Sequence, residues 1–291
     1  MQNMRLLILA SAGVAGLSSG CINPAIDTLS HLVQTGDARN GVTYYVGGAG
    51  QFGHSGSLSV PQGLQEGGYR GVVHVFPWQS LTVYDQVALE RNRAKAAELA
   101  DLVKRQKRRH PDVPVNIIAL SAGTGIATFA LERLPEDVKV HAVVFLSSSL
   151  SSRYDLTRAL KRVEDGLYVF HSRDDEVLAY GTRIAGTVDR RDPAQGVAGL
   201  HGFRLPRTRD ESVASQYAKL HNVRHRAEFS AAGYVGGHTD ATSREFIARH
   251  VAPLLFQRVT EPVGEDESEI ESSSLVRVEA DSAEKEDSAS E

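Results

Sequence analysis

The run Val140-His141-Ala142-Val143-Val144-Phe145-Leu146 constrains the fold of this chain more than any other stretch. It is almost continuously apolar, so it cannot be a strand with one face in water. A strand of this kind is buried on both faces, which requires helices above and below its sheet. Other β-rich runs are comparably short: Val42–Val46, Gly71–Phe76, Val115–Leu120, Gly166–His171 and an edge-like Arg224–Ser230. Helical patterns lie between them. Asp85–His110 places Leu99, Leu102 and Val103 on one face, gathers cations from Lys104 to Arg109, and stops at Pro111. Gly125–Leu134 puts Ile126, Phe129, Ala130 and Leu134 on one face and stops at Pro135. Shorter helices are expected over Asp155–Val163 and Ser212–Leu220. A closing helix is expected from Thr242-Ser243-Arg244-Glu245, which has the form of a capping box. Strand and helix alternate throughout. The pattern predicts an α/β domain over residues 41–258, with a mainly parallel sheet flanked by helices. The gap between Leu146 and Gly166 leaves no room for a large cap domain, and a lid would have to lie in residues 180–210.

Three short segments concentrate residues able to do chemistry. Ala119-Leu120-Ser121-Ala122-Gly123 lies between the strand Val115–Leu120 and the helix after it. A serine on so tight a strand–turn–helix junction needs small neighbours two before and two after it, and Ala119 and Gly123 supply them. The helix N-terminus would favour negative charge developing beside Ser121. His171-Ser172-Arg173-Asp174-Asp175-Glu176-Val177 follows another buried strand. Gly236-Gly237-His238-Thr239-Asp240 follows the last strand and precedes the closing helix.

Taken together, these segments resemble the α/β-hydrolases. Ala119–Gly123 resembles their nucleophile elbow, with alanine where G-x-S-x-G begins with glycine. His171–Val177 resembles the segment carrying the acid, and aligns Asp175 with it; Asp174 is the competing choice. Gly236–Asp240 resembles the histidine loop. The order Ser121, Asp175, His238 is the order of that fold. The resemblance covers roughly residues 41–257. It implies that His238 takes the proton of Ser121 and that Asp175 orients the imidazole. It implies an oxyanion hole made by the Ala122 N–H together with the N–H of Ala49 or Gly50, in the loop Gly47–Gly53. Trp78, Gln79 and Ser80 follow the second strand and are expected to line the pocket. The implied activity is hydrolysis of a small-molecule carboxylic ester through an acyl-enzyme, without cofactor. Thioesterase, amidase and peptidase activities stand behind it, and a non-catalytic envelope protein on a hydrolase scaffold is the alternative of another class.

Competing motifs are weaker. Gly48-x-Gly50-x-x-Gly53 matches the dinucleotide fingerprint in its letters. A glycine- and serine-rich loop, His54–Ser59, follows it, and the next strand ends at Phe76-Pro77-Trp78 without a carboxylate, so no nucleotide is expected. His201, His221 and His225 lack ligand spacing, so no metal is expected. The basic runs Lys104–Arg109 and Arg204–Arg209 read as solvated faces that could meet an anionic surface; no nucleic-acid partner is expected.

The two ends differ from the body. Leu6–Leu17 is an apolar run too short to span a bilayer but suited to a secretory signal over residues 1–20. Leu17-Ser18-Ser19-Gly20-Cys21 resembles the lipobox of bacterial lipoproteins, with Ser18 where an aliphatic residue is usual. It implies export and lipidation at Cys21, the chain's one cysteine, and so a membrane anchor without a span. Ile22 after it suggests the outer membrane in a two-membrane bacterium. Ordinary cleavage with Cys21 as a free thiol is the other reading. Residues 21–40 would form a tether. The last 31 residues, 261–291, carry twelve Asp and Glu against Arg277 and Lys285, a net −10; the whole chain is −4, so the remainder is +6. Residues 259–291 are expected to be an acidic disordered tail.

Overall fold

Six strands form one parallel sheet: β1 (Val42–Val46), β2 (Val72–Val75), β3 (Val115–Leu120), β4 (Val140–Leu146), β5 (Val163–His171) and β6 (Leu220–Arg224), in the order β2-β1-β3-β4-β5-β6. The computed structural model describes residues 36–80 and 83–256. The signal segment, Cys21, most of the tether and the acidic tail lie outside the described residues. Among the described residues, no helix is long and apolar enough to cross a membrane.

The continuously apolar run Val140–Leu146 is β4, interior between β3 and β5. Among the described residues, five helices of seven residues or more accompany the sheet: α1 (Ser59–Glu66), α2 (Leu89–Arg109), α3 (Gly123–Arg133), α4 (Glu176–Ala185) and α5 (Glu211–Tyr217). The twofold alternation of a strand divides the core into two layers. In β3, Val115, Ile117 and Ala119 pack with Leu99 and Val103 of α2 and with Ile126 and Ala130 of α3. Ile118 and Leu120 face the other way, toward Val60 and Leu64 of α1 and toward Phe246, Ile247 and Val251. Each fully buried Leu, Ile or Val contributes about 1.5–3 kcal/mol relative to exposure, so both layers are needed for stability.

Strand order decides where a site can form. From β1 the chain moves outward to β2, then returns past β1 to pair β3 on its other side. Strand order therefore reverses between β1 and β3. At such a point the loops leaving the two strands diverge and open a crevice at the sheet's carboxyl edge. The register keeps that edge level: Val46 pairs Ala119, Leu120 pairs Leu146, and Leu146 pairs Phe170.

Several local expectations shift. The last strand is Leu220–Arg224 rather than Arg224–Ser230, and Ala227–Ala231 is a short helix. Phe229 explains the change: it packs among Phe170, Tyr234 and Phe246, which a helical turn allows. The helix expected over Ser212–Leu220 correspondingly ends at Tyr217. The long second helix begins at Leu89, after a 3-10 turn over Val83–Gln86. The glycine- and serine-rich stretch His54–Ser59 leads directly into α1, whose Pro61 is tolerated because first-turn amides need no helical acceptor. The capping box is not made. Thr242 Oγ1 donates to Thr239 O at 2.7 Å, and residues 244–255 wind as short α, π and 3-10 turns. Residues 147–162 hold turns and the four-residue helix Thr157–Leu160, so no cap is inserted there.

Candidate active site

Ser121 stands at the first residue beyond β3, in the crevice between β1 and β3. Its φ is +53°, a left-handed conformation that costs a residue with a side chain roughly 1–2 kcal/mol. The surroundings hold it there. Its N–H donates to Leu146 O at 2.9 Å, and its carbonyl accepts from Thr124 N–H at 3.1 Å, Thr124 Oγ1 at 2.6 Å and Ser149 N–H at 3.3 Å. Gly123 must be glycine, since a Cβ there would lie 2.3 Å from Gly47 O and 2.4 Å from Val46 O. At Ala119 the methyl faces the buried α2/α3 layer and is accommodated.

The structure brings the three segments together. Ser121 Oγ lies 2.9 Å from His238 Nε2, and His238 Nδ1 lies 2.8 Å from Asp175 Oδ2. All three residues are buried. With the proton on Nδ1, His238 donates to Asp175 and accepts from Ser121. Asp175 also caps α4, its Oδ1 accepting from Leu178 N–H at 2.9 Å. One carboxylate thus starts a helix and fixes an imidazole. Asp174 is exposed and does not bond His238. The histidine loop is set by Gly236, at φ +102°, and by Asp240, which accepts the Gly237 N–H at 2.9 Å. The ring of Phe52 meets His238 edge-on at 5.4 Å. His171, four residues before Asp175, stays outside this chain, and burial pushes its pKa down to about 4.

The glycine loop lies against the nucleophile. A Cβ on Gly48 would stand 3.2 Å from Ser121 Cβ, and Ala49 and Gly50 line the cavity. The Ala122 N–H heads the first turn of α3, where amides lack helical acceptors. Gly50 is already engaged, donating its N–H to Asp85 Oδ2 at 3.3 Å. The fingerprint glycines are occupied by packing: Gly48 by Ser121, and Gly53 by Gln79, whose Cγ a Cβ there would approach to 2.8 Å.

Trp78 and Gln79 do not line the pocket. Both turn back beneath the glycine loop, Trp78 Nε1 donating to Gly47 O at 2.9 Å and Gln79 Nε2 to Gly53 O at 2.8 Å. The cavity, about 370 Å³ and mostly apolar, is walled instead by α4 through Val177, Leu178, Gly181, Thr182 and Ala185. Phe52, Gln86 and Ser149 complete it. Positions 177, 181 and 185 repeat every four residues and so form one helical face, a signal present in the sequence directly after the acid segment. Gln86 bonds the end of this wall, donating from Nε2 to Gly186 O at 3.0 Å. Tyr180 and Ile184, on the outer side of α4, are exposed. Among the described residues, no group of three His, Cys, Asp or Glu side chains is placed to hold a metal.

The parallel sheet, its reversal between β1 and β3 and the serine elbow on β3 together define the architecture. This is an α/β-hydrolase fold. No protein-family profile matches the sequence, and no protein of curated function matches it. Similar solved structures include an esterase from Pyrococcus furiosus, 13% identical, with a TM-score of 0.42 over 74% of this chain and 81% of that one. A carboxylesterase from Bacillus subtilis is 11% identical, with a TM-score of 0.39 over 77% of this chain and 86% of that one.

Proposed function

We propose that this chain is a serine hydrolase that cleaves carboxylic esters through an acyl-enzyme on Ser121. One observation carries the reading: the unbroken hydrogen-bond chain Ser121–His238–Asp175 at 2.9 and 2.8 Å, with the serine opening onto a mostly apolar cavity. A serine hydroxyl attacks a carbonyl only when a base removes its proton. His238 Nε2 takes that proton and then delivers it to the departing alcohol. Asp175 holds the tautomer that leaves Nε2 free to accept, and stabilises the imidazolium. The carbonyl oxygen gains charge beside the Ala122 and Ala49 amides, at the positive end of α3. Water repeats the sequence on the acyl-enzyme, with His238 again as base. The acyl chain lies against the apolar face of α4. No cofactor takes part.

The reading extends to location. The lipobox-like segment would place the catalytic body at a bacterial cell envelope, anchored through Cys21.

The test is covalent. The purified full chain is treated with a fluorophosphonate probe and the adduct mapped by mass spectrometry, beside Ser121→Ala and His238→Ala. A single adduct on Ser121, absent in both variants, supports the reading and justifies a screen of esters, thioesters and amides. A folded protein that takes no adduct refutes it in favour of a non-catalytic scaffold.

A further inference from the structure

The glycine loop beside Ser121 is fastened at three points from below: Gly47 O by the Trp78 indole, Gly53 O by the Gln79 amide, and Gly50 N–H by the Asp85 carboxylate. The fasteners are anchored on α2. Arg91 reaches Asp85 Oδ1 with Nη1 at 2.6 Å and Trp78 O with Nη2 at 2.6 Å, and Asn92 Nδ2 donates to Asp85 O at 2.8 Å. Asp85 also accepts the Ser80 N–H, at 2.9 Å to Oδ2, and the Ser80 hydroxyl, at 2.5 Å to Oδ1. It is fully buried, and its carboxylate meets a backbone amide next to the one assigned to the oxyanion hole.

A buried carboxylate is costly unless paired and hydrogen-bonded, and this one is both. Its place also poses an electrostatic problem. A bare negative charge one peptide from the oxyanion donors would oppose the charge that develops there. Arg91 removes that conflict by neutralising Asp85 from the side away from the loop, leaving the carboxylate oxygens to act as acceptors. Holding the Gly50 N–H sets the plane of the Ala49–Gly50 peptide and restricts the torsions that aim the Ala49 N–H.

We propose that Asp85, ion-paired with Arg91, is a positioning residue that presets the oxyanion loop of this enzyme. The catalytic half of this proposal rests on the serine hydrolase reading; the structural half, that the carboxylate holds the loop, does not.

The test uses the full chain with Asp85→Asn, Arg91→Met and the double variant, and two readouts. The first is amide hydrogen exchange across residues 47–53. The second is kcat and KM on p-nitrophenyl acetate. In Asp85→Asn, exchange in the loop should rise at least tenfold while β3 and β4 stay protected. Its kcat should fall by about 10²-fold, the order reached when a reacting group is misplaced by about 1 Å, with KM within threefold. Arg91→Met leaves the carboxylate unpaired beside the oxyanion, so its kcat should fall further than that of Asp85→Asn. The double variant, which has no buried charge, should regain activity relative to Arg91→Met. A purely structural pair would also recover stability in the double variant, so the recovery is read as kcat per folded molecule, which a structural pair would leave unchanged throughout. Unchanged loop exchange in folded Asp85→Asn overturns the proposal, as does faster exchange with unchanged kcat. If Asp85→Asn does not fold, the double variant carries the test, because it leaves no unpaired buried charge. Wild-type protein that takes no fluorophosphonate adduct sinks the hydrolase reading and the catalytic half with it, while the exchange readout still decides whether Asp85 holds the loop.

Discussion

Asp175 serves two groups with two oxygens, and a single substitution can separate those services. Oδ1 caps α4 at 2.9 Å from Leu178 N, and Oδ2 holds His238 Nδ1 at 2.8 Å. Asparagine keeps the shape and remains a good N-cap, so Asp175→Asn should shift stability by less than about 1 kcal/mol. It has only one acceptor oxygen. With that oxygen on the Leu178 N–H, the amide NH2 faces His238 Nδ1 and forces the ring proton onto Nε2. His238 then presents a donor to Ser121 and cannot take its proton. Loss of the correct tautomer costs a triad enzyme about 10⁴ in kcat, or about 5.4 kcal/mol of transition-state stabilisation. Asp175→Ala removes both services. It should add about 1 kcal/mol for the lost cap and a further 1–3 kcal/mol for a buried donor left unpaired. The assay pairs the second-order rate of fluorophosphonate labelling with the midpoint of urea unfolding. Expected are a near-normal midpoint and very slow labelling for Asn, and a lowered midpoint with equally slow labelling for Ala. Fast labelling of Asp175→Asn would refute the tautomer argument. An equal loss of stability in both variants would refute the separation of roles.

Other substitutions test the packing around the site. Gly123→Ala drives a methyl into two backbone carbonyls of the β1 end, at 2.3 and 2.4 Å, and should cost about 1–3 kcal/mol in a urea titration. Gly181 lines the cavity, and a Cβ added there would meet nothing within 4 Å, so Gly181→Ala should raise stability by about 0.5–1 kcal/mol through helix propensity alone. On the proposed ester-hydrolase reading, Gly181→Phe should fill the cavity, sparing acetyl esters and abolishing turnover of longer acyl chains. Burial lowers His171 from 6.5 to about 4, so the unfolded chain takes up that proton first and stability should be lost as pH falls from about 6.5 to 4. The loss is on the order of 3 kcal/mol, and His171→Gln should flatten that part of the stability–pH curve. His201, His221 and His250 shift the same way, also chiefly by burial, so some acid slope should remain in the variant.

Local pattern is enough to identify what depends on a few neighbouring residues. The parallel α/β class follows from β4, because a strand without alternation has no face to give to water. Ser121 and Asp175 stand out because each follows a strand end in a segment of distinctive chemistry, and the strands then bring those ends to one edge of the sheet; His238, expected directly after the last strand, instead lies beyond the short helix Ala227–Ala231. Asp85 carries no such signal: a lone carboxylate at a helix entrance, it acquires meaning from Gly50 and Arg91. Trp78 and Gln79 turn away from the pocket expected of them because a loop side chain's direction depends on what it meets, here the Gly47 and Gly53 carbonyls. The last strand begins four residues earlier than its pattern suggests because Leu220–Arg224 is a largely exposed edge strand with little alternation to mark it, while the β-like Phe229 belongs to an aromatic cluster assembled from distant segments.

The sequence by itself determined the layered class, the elbow and the order of the three polar groups, since helix and strand periodicity and tight-turn sterics act within a few residues. Only the tertiary structure decided which amide of the glycine loop remains available, which helix walls the cavity and which buried carboxylate, with its partly exposed arginine, lies beneath the loop. Those depend on the reversal between β1 and β3 and on contacts across dozens of residues, where the direction of each side chain is set by partners that no local pattern names.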